Sequence, residues 1–380
     1  MHLKKTKVLL GVIMSGIFLL GGCASKSERS ARESVVQELE KLQSSDSQTI
    51  QNTIDTQQLL SSSQYTEETA EEIGDIYSLF YKDFSFKIKK VTVDEDKGTG
   101  KAVTTLTTID ACNLAKDYSL SLLEKQVESE ADPEEVKFSL NDSCILLKKL
   151  LEENDYGTET SEAEISLKKE GDSWKVIHTS KLDSLLTGNF ASYMSDSRLL
   201  SPSEIVDAHF STIKGFGDEQ LITYLSLDQL VDTDDSYNHS LAAAIGEQIR
   251  RSFDYEITGE DQEDSQADVQ VSITSPDFES ILSSYQEKLT QWLQTSESLS
   301  DGAQGRREKE RSLLLSCIEE NEAAVSKDIT VHLYNDGINW KIQMDSDIAG
   351  AVFGDIPSAI GSVSQDIESN TPMQAYGASN

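Results

Sequence analysis

Apolar residues recur along this chain with two periods. Val35, Leu39 and Leu42, and then Ile73, Ile76, Tyr77 and Phe80, fall on single helical faces. That spacing predicts helices near 32–43 and 66–81, with a further one near 47–60. Phe84, Phe86 and Ile88 then alternate in one phase, and Val91 and Val93 in the other. Strands are therefore expected near 84–93 and 101–109, and the slip at Lys89-Lys90 predicts a β-bulge. Long helices near 111–127 and 133–153 come next. After them Ile165 to Val176 reads as a hairpin turning at Glu170-Gly171. Leu182 and Leu186 lie on a short amphipathic helix that Gly188 closes.

The same pattern returns. Ile165-Ser-Leu167-Lys-Lys-Glu170-Gly171-Asp-Ser-Trp174-Lys175-Val176 aligns without a gap on Val331-His-Leu333-Tyr-Asn-Asp336-Gly337-Ile-Asn-Trp340-Lys341-Ile342. Leu182, Leu186, Gly188 and Phe190 continue onto Ile348, Val352, Gly354 and Ile356 at the same offset. Upstream, Phe84-Ser-Phe86-Lys-Ile88 answers Phe253-Asp-Tyr255-Glu-Ile257. Ala102 to Asp110 answers Ala267 to Ile273 followed by Asp277, and Val35, Leu39 and Leu42 answer Val206, Phe210 and Ile213. An ordered series of this kind points to an internal duplication. Each half reads as three helices, two strands, two helices, two strands and a last helix. The second half has its paired helices near 277–296 and 303–325, broken at Gly302-Ala-Gln-Gly305. Ser201-Pro202 opens it, with Ser201 as helix cap and Pro202 at the first helical position. The expected fold class is α+β, with two tandem repeats. Each is a curved antiparallel sheet of about four strands packed with helices, spanning 32–197 and 201–363, and a polar tail covers 364–380.

Charge and the amino terminus add a location. The chain has 380 residues, 33 basic and 67 acidic, a formal charge of −34. Such a balance excludes direct binding to nucleic acid or to a bare anionic membrane, since both need a basic face. Lys4, Lys5 and Lys7 precede an uncharged apolar run from Val8 to Leu20, too short for a membrane span, which needs about 20 residues. The run ends in Leu20-Gly21-Gly22-Cys23. This resembles the bacterial lipobox, so residues 1–22 are expected to be a lipoprotein signal peptide. Cys23 is then the lipid-attachment residue, its thiol taking a diacylglyceryl (palmitate-type) group. Residues 23–31 would be the lipidated cysteine and a flexible tether, Ala24 to Ser30 letting the body stand off the membrane. Cleavage removes three lysines and leaves 30 basic against 67 acidic residues, or −37. Cys112, Cys144 and Cys317 have no metal-type spacing. They read as small buried hydrophobes, with at most one bridge among them.

A lipobox, a leading helix, and antiparallel strands ending in acid-Gly-x-x-Trp-Lys-aliphatic resemble bacterial lipoproteins of Gram-positive type. Their ectodomains are tandem cystatin-like cones of the nuclear transport factor two superfamily, domains of unknown function. The resemblance implies a curved sheet wrapped round a helix, with a pocket inside the cone. The paired helices inserted between the hairpins depart from the simplest pattern and would fill or roof that pocket.

Candidate chemistry is sparse. Asp110 and Asp277 stand at equivalent strand-to-helix junctions, where a carboxylate caps a helix or, in a cone pocket, acts as a general base. His178, His209, His239 and His332 read as surface or edge residues. Trp174 and Trp340 read as core plugs, with Lys175 and Lys341 on the opposite face of each strand. Asp94-Glu-Asp96-Lys-Gly98 and Asp232-Thr-Asp234-Asp235 read as turns rather than calcium loops, and Gly98-Thr-Gly100-Lys101 lacks the other residues of a phosphate loop. The expectation is therefore a non-enzymatic, membrane-anchored, extracytoplasmic binding or interaction module on the cell surface. It has no cofactor, metal or catalytic residue, and its protein or envelope ligand is unknown. An enzyme using a cone-pocket acid and a structural envelope spacer are the alternatives.

Overall fold

The computed structural model describes residues 25–44, 46–60, 67, 69–132, 139–227, 236–300 and 302–354. The signal peptide, Cys23, Asp232–Asp235, Ile356 and the tail lie outside the described residues. In the first half, helices α1 (Lys26–Glu40), α2 (Ser47–Gln51) and α3 (Ala70–Phe80) lead to β1 (Ser85–Asp94) and β2 (Thr99–Ile109). Helices α4 (Ala111–Glu130) and α5 (Leu140–Glu153) precede β3 (Thr158–Glu170) and β4 (Ser173–Ile177), then α6 (Ser180–Leu186) and α7 (Phe190–Met194). The second half opens with α8 (Pro202–Lys214), α9 (Asp218–Tyr224) and α10 (Ser236–Ser252), followed by β5 (Asp254–Glu263) and β6 (Gln266–Pro276). It ends with α11 (Phe278–Leu293), α12 (Glu297–Ser300), α13 (Gly302–Glu319), β7 (Ala324–Asn335), β8 (Trp340–Ile342) and α14 (Ser346–Phe353).

Two open four-stranded sheets result, ordered β1-β2-β3-β4 and β5-β6-β7-β8, every pair antiparallel. The register slips between Ile88 and Lys90, as the phase change predicts, and at the matching place between Ile257 and Gly259. Lys169 faces Trp174 as Asn335 faces Trp340, so the two hairpins share one register. Gly171 and Gly337 make their turns at φ of 64° and 89°. The β2/β6 correspondence shifts by two residues from the sequence alignment. Ala102 lies opposite Ile165 and Val269 opposite Val331, which makes Ala102, not Thr104, the counterpart of Val269. Alternating strands tolerate such a slip of two because every side chain keeps its face.

Several boundaries move. Ser25 caps α1 through a capping box with Glu28, and the helix begins at Lys26. The expected tether Ala24–Ser30 is thus mostly helix, and the first half starts before residue 32. The signal was legible: Ser-x-x-Glu is the reciprocal cap that satisfies two orphan N–H groups. The 47–60 helix shrinks to α2 and a single 3-10 turn at Thr56–Gln58. The break in the second helical pair lies at the start of α13, because Gly305 sits inside that helix and only Gly302 has positive φ. Ser201 and Pro202 open α8 as read, with Glu204 closing the box.

Each sheet buries one face. In the first half α1 lies across β4 and β1, and its Val35 and Leu39, with Leu42 from the 3-10 turn Lys41–Gln43 that follows, share one core with Ala102, Leu106, Ile165 and Trp174. In the second half α8 lies on β5, β6 and β8, with Val206, Phe210 and Ile213 against Val269, Val271, Val331 and Trp340. Helix α4 belongs to the first half in sequence, yet its later turns send Val127 and Ala131 into the second core. The inserted helix thereby joins the two halves.

Candidate functional site

The groove between the halves is the candidate. Its lining comes from α4 (Leu123, Val127), from Met194 and Leu200, from α8 (His209), and from β8 and the segment after it (Trp340, Met344). Its volume is about 340 Å³, at the small end of ligand pockets. Gln126, Glu130, Asp196, Asn339 and Lys341 also line the groove, and two of its apolar side chains, Ile338 and Met344, are 76% and 57% exposed.

His209 is the one histidine in this groove. It continues the apolar face of α8, where Ile205 and Phe210 flank it, and only 7% of its surface is exposed. Tyr224 Oη lies 3.0 Å from its Nε2. Burial pushes its pKa down to about 4, so the imidazole is neutral at physiological pH. A neutral imidazole carries one donor and one acceptor nitrogen, and Tyr224 engages Nε2. The surface reading of His209 is therefore corrected. The periodicity Ile205, Val206, His209, Phe210, Ile213 carried that signal. Beside the groove, burial first and the nearby Glu128 carboxylate second hold the Glu124 carboxyl above its ordinary range.

The other candidates disperse. Asp110 accepts the Asn113 N–H at 3.0 Å and the Asn113 side-chain amide at 2.6 Å. Asp277 accepts the Ser280 N–H at 3.1 Å and its hydroxyl at 2.6 Å. Both carboxylates are helix caps. Trp174 and Trp340 are buried plugs, and Lys175 turns outward to Glu170 at 2.7 Å. Asp94 bonds Lys97 across a turn. His332 is exposed beside Asp268, at 2.7 Å. Cys144 and Cys317 are buried, Cys112 is only half-buried, and none of the three is in a disulfide. Among the described residues no three His, Cys, Asp or Glu side chains are grouped to hold a metal. Nor is any described helix long and apolar enough to cross a membrane.

His178 departs furthest from an edge residue. Its Nδ1 lies 2.7 Å from Asp183 Oδ1 and its Nε2 lies 3.1 Å from Glu38 Oε1. The bond from Glu38 is the main reason its pKa is raised, and the reciprocal bond brings Glu38 down to about 2. This clamp ties α1 to the segment after β4. Sequence could not pair these groups, since 140 residues separate Glu38 from His178.

A scan against protein-family models and a search of curated proteins each find no match. Among solved structures, one match is a crystal structure from Bacillus subtilis of ycdA, described provisionally as a lipoprotein. It shares 14% identity, covers 70% of this chain and 96% of that chain, and has a TM-score of 0.25. At that score the likeness carries no argument about this protein.

Proposed function

We propose that the protein is a non-enzymatic lipoprotein, held outside the cell membrane by a diacylglyceryl group on Cys23. Its groove between α4 and the β7–β8 hairpin binds a ligand with an apolar body and one neutral hydrogen-bonding group. The location rests on the order Lys4-Lys5-Lys7, apolar run, Leu20-Gly21-Gly22-Cys23. The observation that carries the binding role is the neutral His209, buried among Leu123, Val127, Ile205 and Trp340 in a groove whose remaining lining includes Gln126, Glu130, Asp196 and Lys341. In a spacer an apolar side chain would fill that position more stably than a desolvated imidazole. The use of Asp110 and Asp277 as helix caps supports the non-enzymatic reading. Bulged sheets wrapped on α1 and α8 suit tandem cystatin-like cones, with the binding site between the cones rather than inside either. The duplicated order of elements supports a two-unit organisation of 26–197 and 201–363.

Native mass spectrometry of the exported protein tests this. The expected spectrum shows mass above that of the acylated chain, lost on denaturation, and reduced in His209→Phe, which fills the groove without a hydrogen-bonding group. Bare acylated protein for both chains would refute the binding role.

A further inference from the structure

The start of α1 fixes which end of the protein meets the bilayer. Only Ala24 separates Cys23 from Ser25, the cap of α1. Two residues reach at most about 7 Å however they are arranged. Helix α1 is itself fastened to the sheet. Trp174 Nε1–H donates to Ser27 Oγ at 3.2 Å, Ser34 Oγ–H donates to the Trp174 carbonyl at 2.7 Å, and Arg32 donates to the Ile88 carbonyl at 3.3 Å. The Glu38–His178 contact fastens its other end. Ser27 thus lies near the beginning of β4 and Glu38 near its end, so α1 runs alongside β4 in the same direction. Its first turn sits at the end of the sheet that carries the β3–β4 turn. The β1–β2 turn is there too, because Lys169 N–H donates to the Gly98 carbonyl at 2.9 Å.

The second half departs from the opposite end. Gly188, on the way out of the first half, packs against Ala111 and Thr108, where β2 gives way to α4. Charge follows the same axis. Residues 25–200 hold 20 basic and 34 acidic side chains, −14, while residues 201–380 hold 10 and 33, −23. At the α1 end, Lys26, Arg29, Lys97, Lys168, Lys169 and Lys175 are balanced by six carboxylates on the two turns and the first turn of α1. That end is neutral in a body of strong negative charge. A membrane's anionic potential decays over about 8 Å at physiological salt, so the face within that layer decides the repulsion.

We propose that this end of the first half, formed by the start of α1 with the 95–98 and 171–172 turns, lies against the anionic phospholipid surface. The acidic second half and the groove are then carried outward. The inference rests on the lipid-anchor reading. A lipobox alone does not give it, because a flexible tether would leave orientation free.

The test uses the full exported protein in vesicles of phosphatidylglycerol and phosphatidylcholine, labelled with a membrane-impermeant amine reagent and read by peptide mass spectrometry. Lys26, Lys97 and Lys168 are expected to label at least about fivefold more slowly than in Cys23→Ala protein beside the same vesicles. Lys214 and Lys327 are expected to be unchanged. Inserting about 12 Gly/Ser residues between Ala24 and Ser25, a mean reach of about 20 Å, restores the labelling. Acylated protein in which all five lysines label alike overturns the orientation and leaves the anchor standing. Intact mass without an acyl group on Cys23 overturns both.

Discussion

Replacing Glu38 by Gln keeps the shape of the clamp and removes one charge. A carboxyl held at about 2 rather than its ordinary 4.5 sets a ceiling of about 3 kcal/mol on its contribution at neutral pH. The Glu38 side chain is 23% exposed, so solvent screening brings the expected loss to about 1–2 kcal/mol. The pH dependence follows from both partners. Glu38, depressed, contributes fully above its ordinary 4.5 and loses its contribution as pH falls through about 2. His178, raised, contributes below its ordinary 6.5 and loses its contribution as pH rises through its higher folded-state value. Both are fully in place between about pH 4.5 and 6.5. Lys41, at 2.8 Å from Glu38, and Asp183, at 2.7 Å from the imidazole on its other side, complete the charged surroundings. Hydrogen exchange of α1 peptides, read by mass spectrometry at pH 3, 5.5 and 9 and corrected for intrinsic rates, isolates the first half. The Glu38→Gln effect should be largest at pH 5.5 and smaller at both extremes. A loss under about 0.3 kcal/mol at pH 5.5, or equal losses at 5.5 and 9, would refute the clamp.

Three further outcomes are expected. Gly354→Ala should destabilise the second half by at least about 2 kcal/mol, because φ is 80° and the new Cβ would lie 2.2 Å from the Pro276 carbonyl. Gly171→Ala, at φ 64° in open space, should cost only the left-handed backbone term of about 1–2 kcal/mol; urea titrations of the two variants compare them directly. Asp110→Ala and Asp277→Ala should each cost about 1 kcal/mol, with Asn and Ser restoring most of it, and equal losses with all three residues would argue against capping. In native protein, a disulfide reagent should modify the half-buried Cys112 first and leave the buried Cys144 and Cys317 until unfolding; simultaneous release of all three would contradict the packing.

Local pattern determined much of this protein. The apolar spacing of α3, the bulge after Ile88, the hairpin turns at Gly171 and Gly337, the caps at Ser201, Asp110 and Asp277 and the burial of both tryptophans were all legible, because each depends on residues a few positions apart. The capping box at Ser25 was equally local and was hidden only by reading a polar segment as a tether. Tertiary structure alone decided the rest. It brought Glu38, His178 and Asp183 together, turned the later part of α4 into the second core, and opened a groove with His209 on its wall. Burial and pairing across the chain set the charge of a histidine, and no spacing along the chain encodes which distant side chains will surround it.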